Sequence, residues 1–251
     1  MSDNALRLYY DLAWLWPLWE GPAEYGPWCD HVTALIRKHS LIPARSLLNL
    51  GCGGGKNAYN LKREFEVTGL DLSVPMLDNA RTLNPDCTFV QGDMRDCDLG
   101  RQFDCVVVDD AVAYMLTLED LAALFRTALR HLRPGGVMVV DPEYVMETFP
   151  QDTTRVSQLQ GKDKPANLEV TFITNEYDPD PTDHTYEFTL VYLMREDGKL
   201  RIETDHDLSG LFALEQWRTT LREAGFEIHE EQYEGPDARD DSPTFACVKP
   251  A

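Results

Sequence analysis

Basic residues are scarce in this chain. Only 23 lysines and arginines stand against 43 aspartates and glutamates, a formal net charge of −20. Such a field repels a phosphate backbone, so a nucleic-acid substrate is disfavoured and no nucleic-acid partner is expected. Long apolar runs are missing too: none approaches the roughly 18 residues that would suggest a membrane span. Met1-Ser2-Asp3-Asn4 carries no basic region leading into an apolar one, so neither a span nor a signal peptide is expected. The cysteines, Cys29, Cys52, Cys87, Cys97, Cys105 and Cys247, include no C-x-x-C pair and none beside histidine at metal-ligand spacing. They read as buried thiols of a reducing cytoplasm. No metal is expected either. His184 and His206 have only Asp205 and Asp207 for company, which fits an exposed acidic ribbon. There is no internal repeat and no low-complexity tract.

What is present suits a globular chain with a sizeable core: 251 residues, 43% of them hydrophobic. Residues 1–40 form a helical arm or lid. Its first part is aromatic, with Tyr9, Tyr10, Trp14, Trp16 and Trp19, and is broken by Pro17 and Gly21-Pro22. It lacks the basic face of a membrane-surface helix. Residues 23–39 place Trp28, Val32, Leu35 and Ile36 on one helical side. Strands then alternate with helices. Strands are predicted at 46–50, 66–71, 87–91, 103–109 and 136–141, and helices at 56–64, 74–83 and 119–132. This alternation argues for an α/β fold, a parallel sheet with helices on both faces. Leu132-Arg133-Pro134-Gly135-Gly136 reads as a helix stop and a turn. Residues 150–166 read as a polar loop. The stretches 167–175, 184–195 and 199–208 alternate as antiparallel strands, with a hairpin at Glu196-Asp197-Gly198-Lys199. A helix at 214–224 follows, then strands at 226–233 and 244–249 joined by a Gly-Pro-Asp-rich turn.

The most informative stretch is Ser46 to Gly55, an apolar run that stops at four glycines in five positions before a helix. Such a turn brings bare backbone N–H groups close to a ligand. Asp71 ends the next strand 20 residues after Gly51, where a Rossmann-type sheet keeps an acid for a ribose. A nucleoside-containing cofactor is therefore expected, and three compete. The loop is too short for a phosphate-binding P-loop, and Asn57 stands where that motif needs Ser or Thr after its Lys. A dinucleotide fingerprint would need glycine where Lys56 stands. S-adenosylmethionine has no pyrophosphate to hold, so a shorter loop suffices. Gln91-Gly92-Asp93-Met94 favours it: the carboxylate suits the adenine amino group and the methionine covers the ring. Asp109-Asp110 ends the fourth strand beside the place where cofactor and acceptor would meet.

Those positions, in that order, resemble the class I S-adenosylmethionine-dependent methyltransferases. The matching motifs are Leu50 to Gly55, Gly69-Leu70-Asp71-Leu72-Ser73, Gly92-Asp93-Met94 and Leu132 to Gly136. The resemblance implies a Rossmann-like seven-stranded sheet whose last strand is antiparallel. It implies that Gly51 and Gly53 hold the methionine part of S-adenosyl-L-methionine, Asp71 the ribose, and Asp93 and Met94 the adenine. Cys52, Leu72 and Asp109 complete the expected cofactor set. More narrowly, the chain is similar to the N,N-dimethyltransferases of nucleotide-linked amino-deoxysugars. The matches are Tyr10-Asp11-Leu12, Asn84 to Asp96, Leu99 to Phe103, and Pro142-Glu143-Tyr144 leading to Glu147-Thr148-Phe149. From that group come Tyr10 and Tyr114 as catalytic candidates that orient the acceptor. An antiparallel β insert at 150–208 also follows from it, bordering the substrate and forming a homodimer. The methyltransferase domain itself is then 41–149 with 209–251. Asp109-Asp110 and the Trp-rich stretch around Pro17 depart from the group and border the expected acceptor pocket.

The expected activity is methyl transfer to a small-molecule acceptor in the cytoplasm, with N-methylation of an amine ahead of O-methylation. An amine need only arrive neutral and aligned, whereas an unactivated hydroxyl needs a real base or a metal. A cofactor-binding protein without turnover is the reading from a different class. Tyr25 and Tyr144 are lesser candidates, for closing the pocket and for its rim.

Overall fold

The computed structural model describes residues 6–159, 165–235 and 242–251. In chain order its elements are α1 (Trp16–Trp19), α2 (Gly26–His39), β1 (Ser46–Leu50), α3 (Lys56–Leu61), β2 (Glu66–Asp71), α4 (Val74–Leu83), β3 (Thr88–Gln91), β4 (Phe103–Val108), α5 (Leu118–His131) and β5 (Leu132–Val140). They continue with β6 (Thr153–Gln158), β7 (Leu168–Tyr177), β8 (Thr185–Glu196), β9 (Lys199–Gly210), α6 (Leu214–Ala224), β10 (Glu227–Glu231) and β11 (Thr244–Val248). Seven strands form one sheet in the order β10-β11-β5-β4-β1-β2-β3. β1 to β5 run parallel, and β11 pairs antiparallel with both β10 and β5.

The apolar runs lie at the centre because a strand covered on both faces needs no polar side. Every residue of β4 is buried. Helix α5 turns Leu121, Leu124, Phe125 and Ala128 onto one face, joined by Trp217 and Leu221 of α6. Helix α2 covers the other face with Val32, Leu35 and Ile36, alongside Leu77 and Ala80 of α4. The helical period in the sequence thus sorts into the two layers of a doubly wound sheet. Among the described residues no helix is long and apolar enough to cross a membrane.

One buried charge ties the outer ends of β1, β4 and β5 together. Asp104 accepts the N–H groups of Arg45 at 2.9 Å and Ser46 at 2.8 Å, and the Ser46 hydroxyl at 3.0 Å. It also pairs with Arg133. Burial alone pushes this carboxyl up, yet those donors together hold it below the ordinary aspartate range.

Two stretches differ from the sequence expectation. Residues 132–136 are not a turn before the strand. β5 already begins at Leu132 opposite Phe103, and the register slips before Cys105 meets Val137. Gly135, at φ +78°, absorbs the irregularity. Residues 150–166 are not all loop either: β6 pairs with β7 from Thr153↔Glu176 to Gln158↔Thr171. Its residues are largely solvent-facing, so no apolar alternation marked it. The predicted helix over 56–64 ends at Leu61. Of the predicted last turn, residues 236–241 lie outside the described residues.

The second sheet, β6-β7-β8-β9, is antiparallel throughout. Asp197 and Gly198, both at positive φ, make the two-residue turn between β8 and β9 that the hairpin signal predicts. One face of this sheet is covered by the N-terminal arm. Leu8, Leu12 and Leu15 pack on Phe172, Leu190, Tyr192 and Met194, and the Trp19 ring stacks on Phe172 at 3.9 Å between centroids. Arm and second sheet therefore share a core and close over one edge of the first sheet.

Candidate cofactor and acceptor site

The glycine loop leaves β1 at its carboxyl end and enters α3. Gly51, Gly53 and Gly55 all have positive φ. A Cβ on Gly51 would lie 2.1 Å from that of Ala111, and one on Gly69 would lie 2.7 Å from both Cys52 Sγ and a Phe89 ring carbon. Only glycine leaves room for these neighbouring side chains to pack so closely. Asp71 crosses from the tip of β2 and accepts the Gly53 N–H at 2.7 Å and the Ser73 N–H at 2.8 Å. Burial raises its pKa against the pull of those N–H groups. Ser73 caps α4, its hydroxyl oxygen accepting from the Met76 N–H at 3.2 Å.

The other expected cofactor residues lie along the same edge. Met94 Sδ would be 3.6 Å from a Cβ on Gly51. Leu72 stands 57% exposed beside Asp71, unusual for a leucine at a strand end, and offers an apolar surface. Asp93 is held by Arg95 in a two-pronged pair, which keeps its carboxyl below the usual range, and Arg95 also reaches Asp120. Asp109 accepts from the Asn57 side chain at 2.7 Å, linking the end of β4 to α3. Cys52 is buried against the loop and burial raises its thiol well above the ordinary value, so it is a neutral spacer there. Among the described residues no three metal-ligating side chains gather.

The arm lies across this edge and is fixed to it through its own backbone. The Ser73 hydroxyl donates to the Tyr9 carbonyl, Asn79 to that of Ala13 at 2.8 Å and Asn60 to that of Pro22 at 2.7 Å. From the other side, Asp205 of β9 accepts the N–H groups of Arg7 at 3.0 Å and Leu8 at 3.2 Å, and the Tyr192 hydroxyl at 2.6 Å. That clamp decides which of the two adjacent tyrosines turns inward. The Tyr9 hydroxyl meets that of Tyr114 at 2.7 Å, with the rings edge to face. The structure thus brings Tyr9, and not Tyr10, to Tyr114. Burial raises both phenols, and the charges of Asp110, Glu143 and Asp71 push Tyr9 further in the same direction. Glu143, just past β5, accepts the Tyr186 hydroxyl at 3.0 Å. Tyr144 is buried behind it, donating to Glu176 at 2.8 Å. Tyr25 lies at the loop, its hydroxyl 3.3 Å from Glu20.

Sequence reasoning did not single out Tyr9, Trp16 or Glu143 for the site, and took Lys56 only as a mismatch. For Tyr9 no local signal separates it from Tyr10. Lys56 carried none beyond its place at the start of a helix.

A seven-stranded sheet in this order, with a glycine cradle after the first strand and an acid closing the second, defines a nucleoside-cofactor-binding transferase of the Rossmann type. Residues 47–136 match the family model described as a methyltransferase domain. The dTDP-3-amino-3,6-dideoxy-alpha-D-glucopyranose N,N-dimethyltransferase of Streptomyces fradiae is 32% identical over 180 residues, 66% of this chain and 70% of that one. The dTDP-3-amino-3,4,6-trideoxy-alpha-D-glucopyranose N,N-dimethyltransferase of Streptomyces venezuelae is 41% identical over 128 residues, 50% of this chain and 54% of that one. The crystal structure of Streptomyces venezuelae DesVI superposes with a TM-score of 0.80 at 30% identity, covering 97% of both chains. The chain belongs to the S-adenosylmethionine-dependent methyltransferases, in the group that includes the amino-deoxysugar N,N-dimethyltransferases.

The residues present fit that cofactor. Gly51 and Gly53 carry no side chain and keep part of their surface open, Asp71 presents acceptors at the loop, and the buried indole N–H of Trp16 beside it has no hydrogen-bond partner among the described residues.

Proposed function

We propose that this methyltransferase methylates the amine of a small amino-sugar acceptor, working in the cytoplasm on an acceptor held between the arm, the turn after β4 and the second sheet. The observation that carries this reading is the Tyr9–Tyr114 hydroxyl pair, set among Asp110, Glu143 and Asp207 at the cofactor edge. Phenols accept from and donate to an amine, and the surrounding negative charge draws in its protonated form. S-adenosylmethionine supplies a methyl group already activated on sulfonium sulfur. The amine gives its extra proton to a neighbouring carboxylate or to water. Its lone pair then forms the N–C bond as the C–S bond breaks and that electron pair stays on sulfur. The protein contributes alignment. The names of the relatives, which are N,N-dimethyltransferases of dTDP-amino-deoxysugars, support the acceptor class. Six unpaired cysteines support a reducing compartment.

A panel of nucleotide-linked and free amino-deoxysugars, read by mass spectrometry, tests the acceptor; gain of one or two methyl groups is the expected result, and methylation of hydroxy analogues alone overturns it. Tyr9→Phe with Tyr114→Phe is expected to lower turnover by roughly 10–100-fold through lost alignment and to leave cofactor affinity unchanged. Full turnover in that double variant removes the pair from the mechanism, and a loss seen in Tyr10→Phe but not in Tyr9→Phe returns the role to Tyr10.

The division proposed for the chain is an arm at 1–40, a catalytic domain at 41–149 with 209–251, and a β insert at 150–208. The insert is also the proposed homodimer face. Val156 (65%) and Ile202 (57%) stand exposed on strands β6 and β9, both at an edge of the sheet, and Leu200 lies near Ile202. Light scattering should give twice the 28.6 kDa chain mass, and Ile202→Lys should shift it to the single mass; a monomer at high concentration refutes the interface.

A further inference from the structure

An unpaired donor and a buried cation meet on the glycine loop, and both suit an anion. Trp16 packs against the loop. A Cβ on Gly54 would fall 2.2 Å from ring carbon Cδ1 and 2.3 Å from Nε1. That Nε1–H is buried and, among the described residues, without a hydrogen-bond partner. An indole N–H can only donate, and a buried donor left unpaired is costly. Beside it stands Lys56, buried to 4% exposure in the first turn of α3. Its Nζ sits 4.6 Å from the centre of the Trp16 ring and 5.2 Å from that of Tyr25. Among the described residues Lys56 forms no ion pair within 4.0 Å. Glu20 and Glu24 of the arm act on it from further away, and burial pushes its pKa down to about 8 despite them. A cation held by ring faces and short of a close counter-ion is an arrangement that gains much from one.

S-adenosylmethionine has a single anionic group, the carboxylate of its methionine part, and that part is the one expected at Gly51 and Gly53. We infer that the Trp16 indole N–H and the Lys56 ammonium together seat the methionine carboxylate of the cofactor. The inference rests on the cofactor assignment above and adds the recognition element for one end of it. Lys56 stands where a dinucleotide fingerprint would have glycine, and Trp16 belongs to the arm. Cofactor binding and arm closure are then one event: the carboxylate bridges a residue of the sheet edge to a residue of the lid. Two charge-assisted hydrogen bonds would form where now there is a lone donor and a desolvated cation. Glu20, Glu24 and Tyr25 are the other titratable groups facing Lys56, and Glu20 and Glu24 both favour its charged form.

Calorimetric titration of the full chain with two probes tests this. S-adenosylhomocysteine carries the carboxylate, whereas 5′-methylthioadenosine shares the adenosine and the thioether without it. Lys56→Met should weaken S-adenosylhomocysteine by about 10–100-fold and Trp16→Phe, which keeps the ring and removes the N–H, by about 5–10-fold. Both should leave 5′-methylthioadenosine within about 2-fold of wild type, the scatter expected when no contact is lost. In wild type, S-adenosylhomocysteine binding should take up a proton above pH 8, detectable as a dependence of the heat on buffer ionisation, and Lys56→Met should abolish that uptake. Equal weakening of both probes assigns Trp16 and Lys56 a purely structural role and overturns the inference, as does undiminished S-adenosylhomocysteine affinity. If Lys56→Met does not fold, Trp16→Phe alone decides by the same comparison. Failure of both probes to bind wild type would instead remove the cofactor assignment.

Discussion

Asp71→Ala is expected to cost the protein most of its cofactor affinity, on the order of 3 kcal/mol or ~100-fold. The carboxylate is the piece that joins the glycine loop to the start of α4, through the N–H groups of Gly53 at 2.7 Å and Ser73 at 2.8 Å. Its removal orphans both and withdraws the acceptor expected for the ribose hydroxyls. Asp71→Asn should fall between, because an amide keeps the shape but can turn only one oxygen to the two N–H groups. Burial has raised the pKa of this acid. A protonated Asp71 is a poorer acceptor, so affinity should decline on the acid side as pH falls through that raised value. Lys56, with its pKa at about 8, should produce the decline on the alkaline side. A bell-shaped dependence of S-adenosylhomocysteine affinity on pH is the combined expectation. Titration of Asp71→Ala at wild-type affinity would refute the assignment of the acid.

Gly51→Ala carries the second large effect, on folding and binding together. The residue sits at φ +73°, where a side chain costs about 1–2 kcal/mol. The new methyl would also lie 2.1 Å from the Ala111 Cβ, an overlap that neither short side chain can relieve by rotating, worth a further ~1–3 kcal/mol. The sum, about 2–5 kcal/mol, corresponds to a fall of roughly 5–20 °C in Tm for a chain of this size. Gly100→Ala provides the comparison. It has a similar φ of +64° with nothing within 4 Å of the added Cβ, so it should lose only the smaller, backbone part. Thermal unfolding of the two variants side by side is decisive: equal shifts would mean that the Gly51–Ala111 approach is not packed as described.

The proposed cofactor half of the site could be laid out from the sequence because its parts are local. Each sits where a strand ends: Gly51 to Gly55 after β1, Asp71 on β2, Asp93 and Met94 after β3, Asp109 after β4. A parallel sheet lines up all those ends on one edge, so a strand boundary is already a site coordinate. Those boundaries are sharp where a buried apolar run meets glycine or aspartate, as at Leu50-Gly51 and Val108-Asp109. They blur where neither condition holds. β6 is polar and solvent-facing, and its only reason to be a strand is that β7 offers it a hydrogen-bonding edge.

The proposed acceptor half could not be read in the same way, since its groups come from the arm, the turn after β4, the end of β5 and β9. Tyr9 and Tyr10 are neighbours of identical chemistry, and the choice between them is made by Asp205, almost two hundred residues away, gripping the backbone at Arg7 and Leu8. Likewise the sequence shows Lys56 as a lysine at the start of a helix, while the desolvation that lowers its pKa comes from Trp16 and Tyr25 folding over it. What the amino-acid sequence by itself determined is the α/β sheet, the glycine cradle and the acid beside it, because periodicity and short-range spacing encode them. What only the tertiary structure decided is which tyrosine meets Tyr114 and which cation lies buried beside the loop. Both depend on burial by residues distant in the chain, and burial is a property of the folded whole.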